Sequence, residues 1–355
     1  MILSAIGIIM MVDVHAGSPI GFLINLFPYD SFFMPLFVFI SGYFFNPEKA
    51  TNMVSYIIGK LKRLLVPYVV LNLLIGGLVT ILLSLFGITW FAAWSPGKFL
   101  RGMFSSGIVF DVTSASWFII MLFMVTTIYL ILEKIPKWGG DNLVSWKLFI
   151  LCILNVVSVW ISRNDWVSGG ISLLLLKCAF FLVFYHLGRW YRIKVEVLNT
   201  PPQNLVLFCS ILMLVLHLFY SNNDLIFIRL AFFVDFKTDN LMLPFISSVL
   251  GIGFYLGCSQ FLEPLIGNNR IVNFISENTL VILTTHLVFF NLVNLFLYFC
   301  HNQFGLFPEF NSKIFSQSAW YLYLANPAMR WIYLSIGLVA PLCLLRTPLA
   351  RFLKS

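Results

Sequence analysis

The sequence predicts an all-α integral membrane protein, built as a single bundle of about ten transmembrane helices. Hydrophobic residues make up 60% of the 355-residue chain and charged residues only 10%, and the mean hydropathy is +0.94. A soluble domain of this length would need far more charged surface. The apolar residues form runs that approach the roughly 20 residues a helix needs to cross a bilayer. Lys and Arg fall beside the ends of these runs, where such residues orient membrane helices.

Ten apolar segments can be placed along the chain, each to within a few residues. They cover residues 2–16, 30–46, 64–88, 116–133, 147–162, 170–188, 204–220, 240–262, 274–300 and 328–345. No soluble domain, low-complexity tract or internal repeat separates them, so residues 1–355 are predicted to form one domain. The stretch from Ser221 to Asn240 is too short and too charged to span, and an amphipathic or re-entrant piece outside the membrane is expected there.

The distribution of basic residues predicts the orientation of the chain. An even number of spans places both termini on one side. The basic residues on that side are Lys49, Lys60, Lys62, Arg63, Lys134, Lys137, Lys147, Arg189, Arg192, Lys194, Arg270, Arg346, Arg351 and Lys354. The other side carries Lys98, Arg101, Arg163, Arg229, Lys237, Lys313 and Arg330. Twice as many lie on the first side, so both termini are predicted to be cytoplasmic.

Several classes of function are excluded by composition and spacing. The six cysteines stand singly inside apolar runs, without the paired spacing of a zinc site or a disulfide framework. The net charge of +8 comes without a basic run long enough to bind nucleic acid. No metal-spaced cluster, glycine-rich phosphate loop or nucleophile elbow is present. We therefore expect neither a metal nor a nucleic-acid partner.

The stretch from Asp30 to Phe45 indicates a site near the start of the chain. It is almost free of charge, yet Pro35 and Gly42 allow a bent helix and close approach by a neighbour. Ser41 has two interpretations. It is a small residue at a tight helix contact, or it donates a hydrogen bond to a reacting carbonyl.

His15 is the strongest catalytic candidate that the residues themselves indicate. It ends the first apolar run, in the half predicted to be extracytoplasmic. One interpretation is an interfacial histidine, and the other is a general base that takes a proton from a hydroxyl. Asp13 lies about 200° round the helix from His15, so it is poorly placed to orient the imidazole.

Six stretches in order resemble a known family. They are IGIIMMVDVH, FFMPLFVFISGYFF, KLKRLLVPY, SASWFIIMLF, YHLGRWYR and ENTLVILTTH. The chain resembles the membrane-bound acyltransferase-3 family, and most closely its fucose 4-O-acetylase-like branch. The resemblance implies a ten-helix enzyme of the bacterial plasma membrane. Such an enzyme moves an acyl group, usually acetyl from acetyl-CoA, onto a hydroxyl of a cell-envelope sugar.

The resemblance also implies roles for particular residues. His15 matches the essential histidine of the family's first helix. The family has a basic residue eleven positions earlier, where this chain has Ser4, so the start is truncated, another cation substitutes, or activity is impaired. Lys60 and Arg63 match a pair of arginines thought to meet the CoA phosphates. The alternative is that they only set topology and touch anionic lipid.

Two further residues are acceptor-side candidates by resemblance. Trp117 matches a recurring tryptophan near the acceptor, and its other interpretation is an interfacial belt residue. His286 lies near the middle of a long apolar run, where an ionisable side chain usually faces a site. His186, His217 and His301 are interpreted as interfacial.

The expected function is therefore an integral membrane O-acyltransferase. The donor is acyl-CoA, with acetyl-CoA favoured, and the acceptor is a hydroxyl of a glycan or lipid-linked sugar destined for the cell envelope or for export. Two alternatives stay open, a polysaccharide exporter or flippase and a non-catalytic membrane partner.

Overall fold

The computed structural model describes residues 1–20, 31–88, 96–134, 143–164, 166–167, 169–198, 201–220 and 240–348, and regular structure there is helical throughout. The helices are α1 (Ile2–His15), α2 (Phe33–Tyr43), α3 (Met53–Leu85), α4 (Pro96–Ser105), α5 (Asp111–Lys134), α6 (Leu143–Arg163), α7 (Gly170–Leu198), α8 (Pro202–Phe219), α9 (Leu243–Ile266), α10 (Arg270–Glu277), α11 (Thr279–Phe304), α12 (Ser312–Phe315) and α13 (Pro327–Arg346). Among the described residues, eight helices are long and apolar enough to cross a membrane, and α1 and α2 are shorter apolar helices at the first two predicted positions. The predicted all-α membrane class is confirmed.

Two helices extend beyond their predicted ends into basic stretches. Helix α3 begins at Met53 rather than near residue 64, and α7 continues to Leu198 rather than ending near residue 188. Hydropathy marks where apolar residues stop, whereas Lys and Arg are good helix formers and do not end a helix. Helix α3 also contains two wider π-helical turns, Leu61–Leu65 and Leu71–Gly76. Of the predicted re-entrant piece, residues 221–239 lie outside the described residues.

The chain forms two compact units, each assembled from three separate segments. The described residues of Met1–Met10, Phe22–Gly59 and Met121–Glu277 form unit 1. Those of Met11–Gly21, Lys60–Ile120 and Asn278–Ser355 form unit 2. Because each unit draws on distant segments, no linker marks the division in the sequence.

The packing of α2 against α7 in unit 1 depends on two glycines. A Cβ at Gly42 would lie 1.9 Å from the carbonyl oxygen of Tyr185, and a Cβ at Gly188 would lie 2.0 Å from that of Phe39. Each glycine therefore admits the backbone of the other helix, as small residues do in membrane bundles. The tight helix contact predicted beside Ser41 is present.

A polar network inside unit 1 corrects the interpretation of His186. This histidine is buried, with 3% of its surface exposed, and its Nδ1 lies 2.9 Å from the hydroxyl of Tyr129. Arg189, on the same helix, pairs with Glu133, which also pairs with Lys147 at 3.2 Å. His186 is therefore a core residue and not an interfacial one, because it is buried and bonds to a side chain of the neighbouring helix α5.

Unit 2 is organised around α11, which packs against α13, the helical turn Asp111–Ser116 and the wide turn Leu71–Gly76. A buried polar layer joins the latter two. Asn72 donates to Ser116 Oγ at 3.3 Å, and its Oδ1 accepts from Thr113 Oγ1 at 2.6 Å. These paired groups satisfy one another inside an apolar helix bundle, and so fix the start of α5.

Candidate active site

A closed turn at the end of α1 fixes the position of His15. The backbone N–H of Ser18 donates to the carbonyl of Asp13 at 2.8 Å, and that of Ile20 donates to Asp13 Oδ1 at 2.9 Å. Gly17 and Ser18 adopt positive φ angles of 85° and 55°, which turn the chain sharply after the helix. Asp13, 1% exposed, therefore secures the backbone that carries His15.

His15 contacts His286 of α11, a residue 271 positions away in the chain. Its Nδ1 lies 2.8 Å from Nε2 of His286, which is fully buried, whereas His15 itself is partly exposed. The ring centroids are 5.0 Å apart and the planes differ by 12°. The centroid separation is close to the sum of the 2.8 Å N···N distance and the radii of the two imidazole rings, so the two centroids and the two nitrogens lie nearly on one line. The two imidazoles therefore meet edge to edge in nearly one plane.

The backbone of α11 determines which nitrogens carry protons. Nδ1 of His286 lies 3.0 Å from the carbonyl oxygens of both Ile282 and Leu283. A carbonyl can only accept, so Nδ1–H of His286 donates, and Nε2 of the neutral ring is an acceptor. Nδ1–H of His15 then donates to that Nε2. In its neutral form His15 consequently carries its lone pair on Nε2, on the other side of the ring from His286.

Trp320, which the sequence analysis did not single out, lies against His15. The ring centroids are 5.0 Å apart with an interplanar angle of 79°, and Trp320 is 39% exposed. From buried His286 through partly exposed His15 to exposed Trp320, the side chains lead outward. An imidazole whose Nδ1–H is held by a buried partner has its basic nitrogen at Nε2, and such a nitrogen can accept a proton from a hydroxyl.

Comparison with protein families shows the class of enzyme. The family model described as an acyltransferase domain, that of acyltransferase-3, matches residues 2–346. The chain belongs to the acyltransferase-3 family. The protein is thus a membrane acyltransferase. Comparisons with curated proteins and with solved structures found no match.

The two predicted donor-binding residues of the acyltransferase lie at the first wide turn of α3. Lys60 immediately precedes the turn Leu61–Leu65 and is partly buried, whereas Arg63 lies within it and is exposed. Both belong to unit 2, as His15 and His286 do. Irregular π-helical turns often occur at functional sites. The phosphate role of the pair stays a prediction.

Trp117 and Ser41 have different surroundings from those expected of an acceptor site. Trp117 is only 1% exposed, and a Cβ at Gly107 would lie 2.8 Å from its Cα. Trp117 is therefore buried in the described structure and does not lie at its surface, and its role near the acceptor stays a prediction. Ser41 is partly buried beside the contact of Gly42, in unit 1. Its hydrogen-bonding role stays a prediction.

Ser4 of the acyltransferase lines a cavity of about 690 Å³ in unit 1. The cavity is also lined by Glu196, Glu263 and Glu277, and no Lys or Arg side chain is among the described residues around it. The position where the family has a basic residue therefore opens here on an acidic cavity. Among the described residues, those of this cavity included, no three His, Cys, Asp or Glu side chains come together as a metal site would require.

The structure also shows polar residues that sequence reasoning missed. Asn291 and Asn294 of α11 are fully buried and bond to the segment that carries Trp320. Two asparagines three positions apart in an apolar span are a detectable signal, because a polar side chain inside a membrane needs a partner. The signal does not reveal which groups the two asparagines bond to.

Proposed function

We propose that this acyltransferase moves an acetyl group from acetyl-CoA to a hydroxyl of a glycan or lipid-linked sugar of the bacterial cell envelope, or of an exported polysaccharide. The observation that supports the reaction is the hydrogen bond from His15 to His286, which leaves the lone pair of His15 on Nε2, the ring nitrogen that does not face His286. The sugar acceptor is supported by the resemblance in sequence and by an exposed tryptophan beside His15.

His15 acts as the general base. Its Nε2 accepts the proton of the acceptor hydroxyl while that oxygen attacks the thioester carbonyl. A C–O bond forms, the C–S bond breaks, and the imidazolium returns the proton to the departing CoA thiolate. The products are an acetyl ester and CoA, and His15 is neutral again. Transfer of the acetyl group first to Nε2 and then to the acceptor uses the same nitrogen and gives the same products.

His286 is a positioning residue for this base. It accepts the Nδ1–H of His15, which fixes the tautomer and the ring plane, and it donates its own Nδ1–H to backbone carbonyls. When His15 becomes an imidazolium, this hydrogen bond becomes charge-assisted and stronger. The interaction therefore favours the protonated form that the transfer step creates.

Donor and acceptor reach the enzyme from opposite sides of the plasma membrane. Acetyl-CoA enters from the cytoplasm with its phosphates at Lys60 and Arg63, and its thioester extends toward His15 in the extracytoplasmic half. Helix α3 supports this path, because its length joins the phosphate residues to the turn Leu71–Gly76, which packs against α11. The basic residues at the helix ends also contact membrane lipid.

Release of CoA thiol by the purified protein in lipid nanodiscs tests the proposal. We expect acetyl-CoA to yield free CoA, and His15→Ala to lower the rate about 10²- to 10⁴-fold, the usual contribution of a general base. The matched control is His217→Ala, which removes a partly exposed histidine of α8 and should leave the rate unchanged. A rate in His15→Ala equal to that of the parent would contradict the catalytic role, and an exporter or a passive partner releases no CoA.

A further inference from the structure

The segment that carries Trp320 is held by asparagines of α11. Asn291 Nδ2 donates to the carbonyl of Ala319 at 2.9 Å, and Asn294 Nδ2 donates to that of Tyr321 at 2.7 Å. Both asparagines are fully buried. Each therefore joins a backbone group on one side of Trp320 to the helix that also carries His286.

A third anchor comes from α13. The hydroxyl of Tyr333 donates to Oδ1 of Asn294 and accepts the backbone N–H of Tyr323 at 3.1 Å. Backbone groups at Ala319, Tyr321 and Tyr323 thus all bond toward the interior. Ala319 and Trp320 lie in a turn, in which the backbone N–H of Tyr321 donates to the carbonyl of Ser318 at 3.2 Å. In this turn Trp320 is 39% exposed, whereas Ala319 is 4% exposed.

We propose that Trp320 is the platform on which the acceptor sugar ring stacks, with the reacting hydroxyl beside His15. This inference rests on the proposed function. A pyranose ring has an apolar C–H face that matches the large, rigid face of an indole. Because the indole and the imidazole are in contact, at 5.0 Å between centroids, a ring stacked on Trp320 brings its hydroxyls next to His15.

The anchoring explains why this tryptophan can select an acceptor. A general base contributes fully only when the hydroxyl is held at hydrogen-bond distance in the correct direction. Three hydrogen bonds to buried side chains of α11 and α13 fix the segment on both sides of Trp320. Helix α11 therefore holds both groups. His286 holds the base, and the two asparagines hold the segment that carries Trp320.

The competing explanation is a membrane anchor, because tryptophans are common where helices meet the membrane interface. An anchor and a sugar platform differ in what their loss changes. Loss of an anchor lowers stability or insertion and affects all reactions alike. Loss of a platform raises the KM for ring acceptors by more than it changes hydrolysis of the donor.

The test compares Trp320→Ala and Trp320→Phe with the parent protein in nanodiscs. The donor is acetyl-CoA. The acceptors are methyl glycosides of glucose, galactose and mannose, and glycerol serves as a hydroxyl acceptor without a ring. Trp331→Ala is the matched control, because it removes another exposed tryptophan of unit 2, 52% exposed, on α13. Acetyl esters are quantified by mass spectrometry, and CoA release gives the hydrolysis rate.

We expect Trp320→Ala to raise the KM for the best methyl glycoside about tenfold, the effect of losing one good ring contact. Trp331→Ala should match the parent, and Trp320→Phe, which keeps an aromatic face, should raise the KM less than Trp320→Ala does. In Trp320→Ala, acetylation of glycerol and hydrolysis of acetyl-CoA should change less than acetylation of the glycoside. An unchanged glycoside KM in Trp320→Ala overturns the inference. Acetylation of glycerol but of none of the glycosides by the parent overturns it too. Full transfer by His15→Ala instead refutes the proposed function, whatever Trp320 does.

Discussion

At the scale of single residues, the site is a chain of hydrogen bonds with a fixed direction. The carbonyls of Ile282 and Leu283 can only accept, so they set the tautomer of His286, which in turn sets that of His15. A Ser-His-Asp triad uses a carboxylate to orient its histidine. Here a neutral imidazole does so, which avoids burying a negative charge inside an apolar bundle.

This arrangement makes a prediction for His286. In His286→Leu the Nδ1–H of His15 loses its acceptor, and we expect CoA release to fall about tenfold or more, the cost of one buried hydrogen bond. The carbonyls of α11 keep their helical N–H donors, so the fold should be retained. His286→Gln supplies a side-chain oxygen that can accept from His15, and it should recover part of the lost rate.

The rates are measured in nanodiscs, and unfolding on heating serves as the control for stability. Equal losses in His286→Leu and His286→Gln would mean that an acceptor for the Nδ1–H of His15 does not restore the rate, and would contradict the positioning role of His286. An unchanged rate in both variants would remove His286 from the mechanism.

At the scale of helices, the contact of α2 with α7 shows how a membrane bundle without strong amphipathic faces selects its pairs. The two backbones approach where Gly42 and Gly188 lack side chains. Lipid tails are as apolar as the helices, so close packing must supply the attraction.

Gly42→Ala should therefore destabilise the protein. The new Cβ would lie 1.9 Å from the carbonyl oxygen of Tyr185, and overpacking of this kind costs about 1–3 kcal/mol. Gly59→Ala is the matched control, because nothing lies within 4 Å of a Cβ there. Alanine is also the better helix former, so Gly59→Ala should be neutral or stabilising by up to about 1 kcal/mol. The measurement is thermal unfolding in detergent, and equal midpoints for both variants would contradict the packing argument.

The first wide turn of α3, Leu61–Leu65, makes a prediction for donor binding. If Lys60 and Arg63 meet the CoA phosphates, Arg63→Glu should weaken acetyl-CoA binding about tenfold or more, since it replaces attraction by repulsion. Lys60→Arg keeps the charge and should have a smaller effect. Binding is measured by calorimetry on protein confirmed to be folded. Normal affinity in Arg63→Glu would leave the pair as a topology signal.

At the scale of the whole molecule, the orientation in the membrane is the property that the basic residues predict. Both termini are expected in the cytoplasm, and so is the turn at residues 47–52 between α2 and α3. A reporter active only in the cytoplasm should be active when fused after Ser355 or inserted in that turn. Activity of a periplasmic reporter at both places would reverse the orientation.

The sequence alone determined the class of the protein and the approximate place of the apolar helices, and it indicated the two histidines of the candidate site. A bilayer allows few charges and demands helices of a set length, so composition and run length suffice for the fold class. An ionisable side chain is costly inside a membrane, so His15 and His286 stand out in the sequence even as single residues. The start of α3 and the end of α7 were missed, since hydropathy detects apolar side chains and not helical backbone.

Only the tertiary structure decided which distant residues meet. His15 and His286 are 271 positions apart, and no periodicity in either helix indicates that they share a hydrogen bond. Trp117 was predicted to lie at the membrane interface or near the acceptor, and it is buried. Trp320 was not among the predicted site residues, and it lies against His15. Helices that are apolar on all sides give little sign of which face turns inward, because lipid and protein neighbours are equally apolar. Glycine contacts and buried hydrogen bonds between helices select the pairs, and these exist only once the chain has folded.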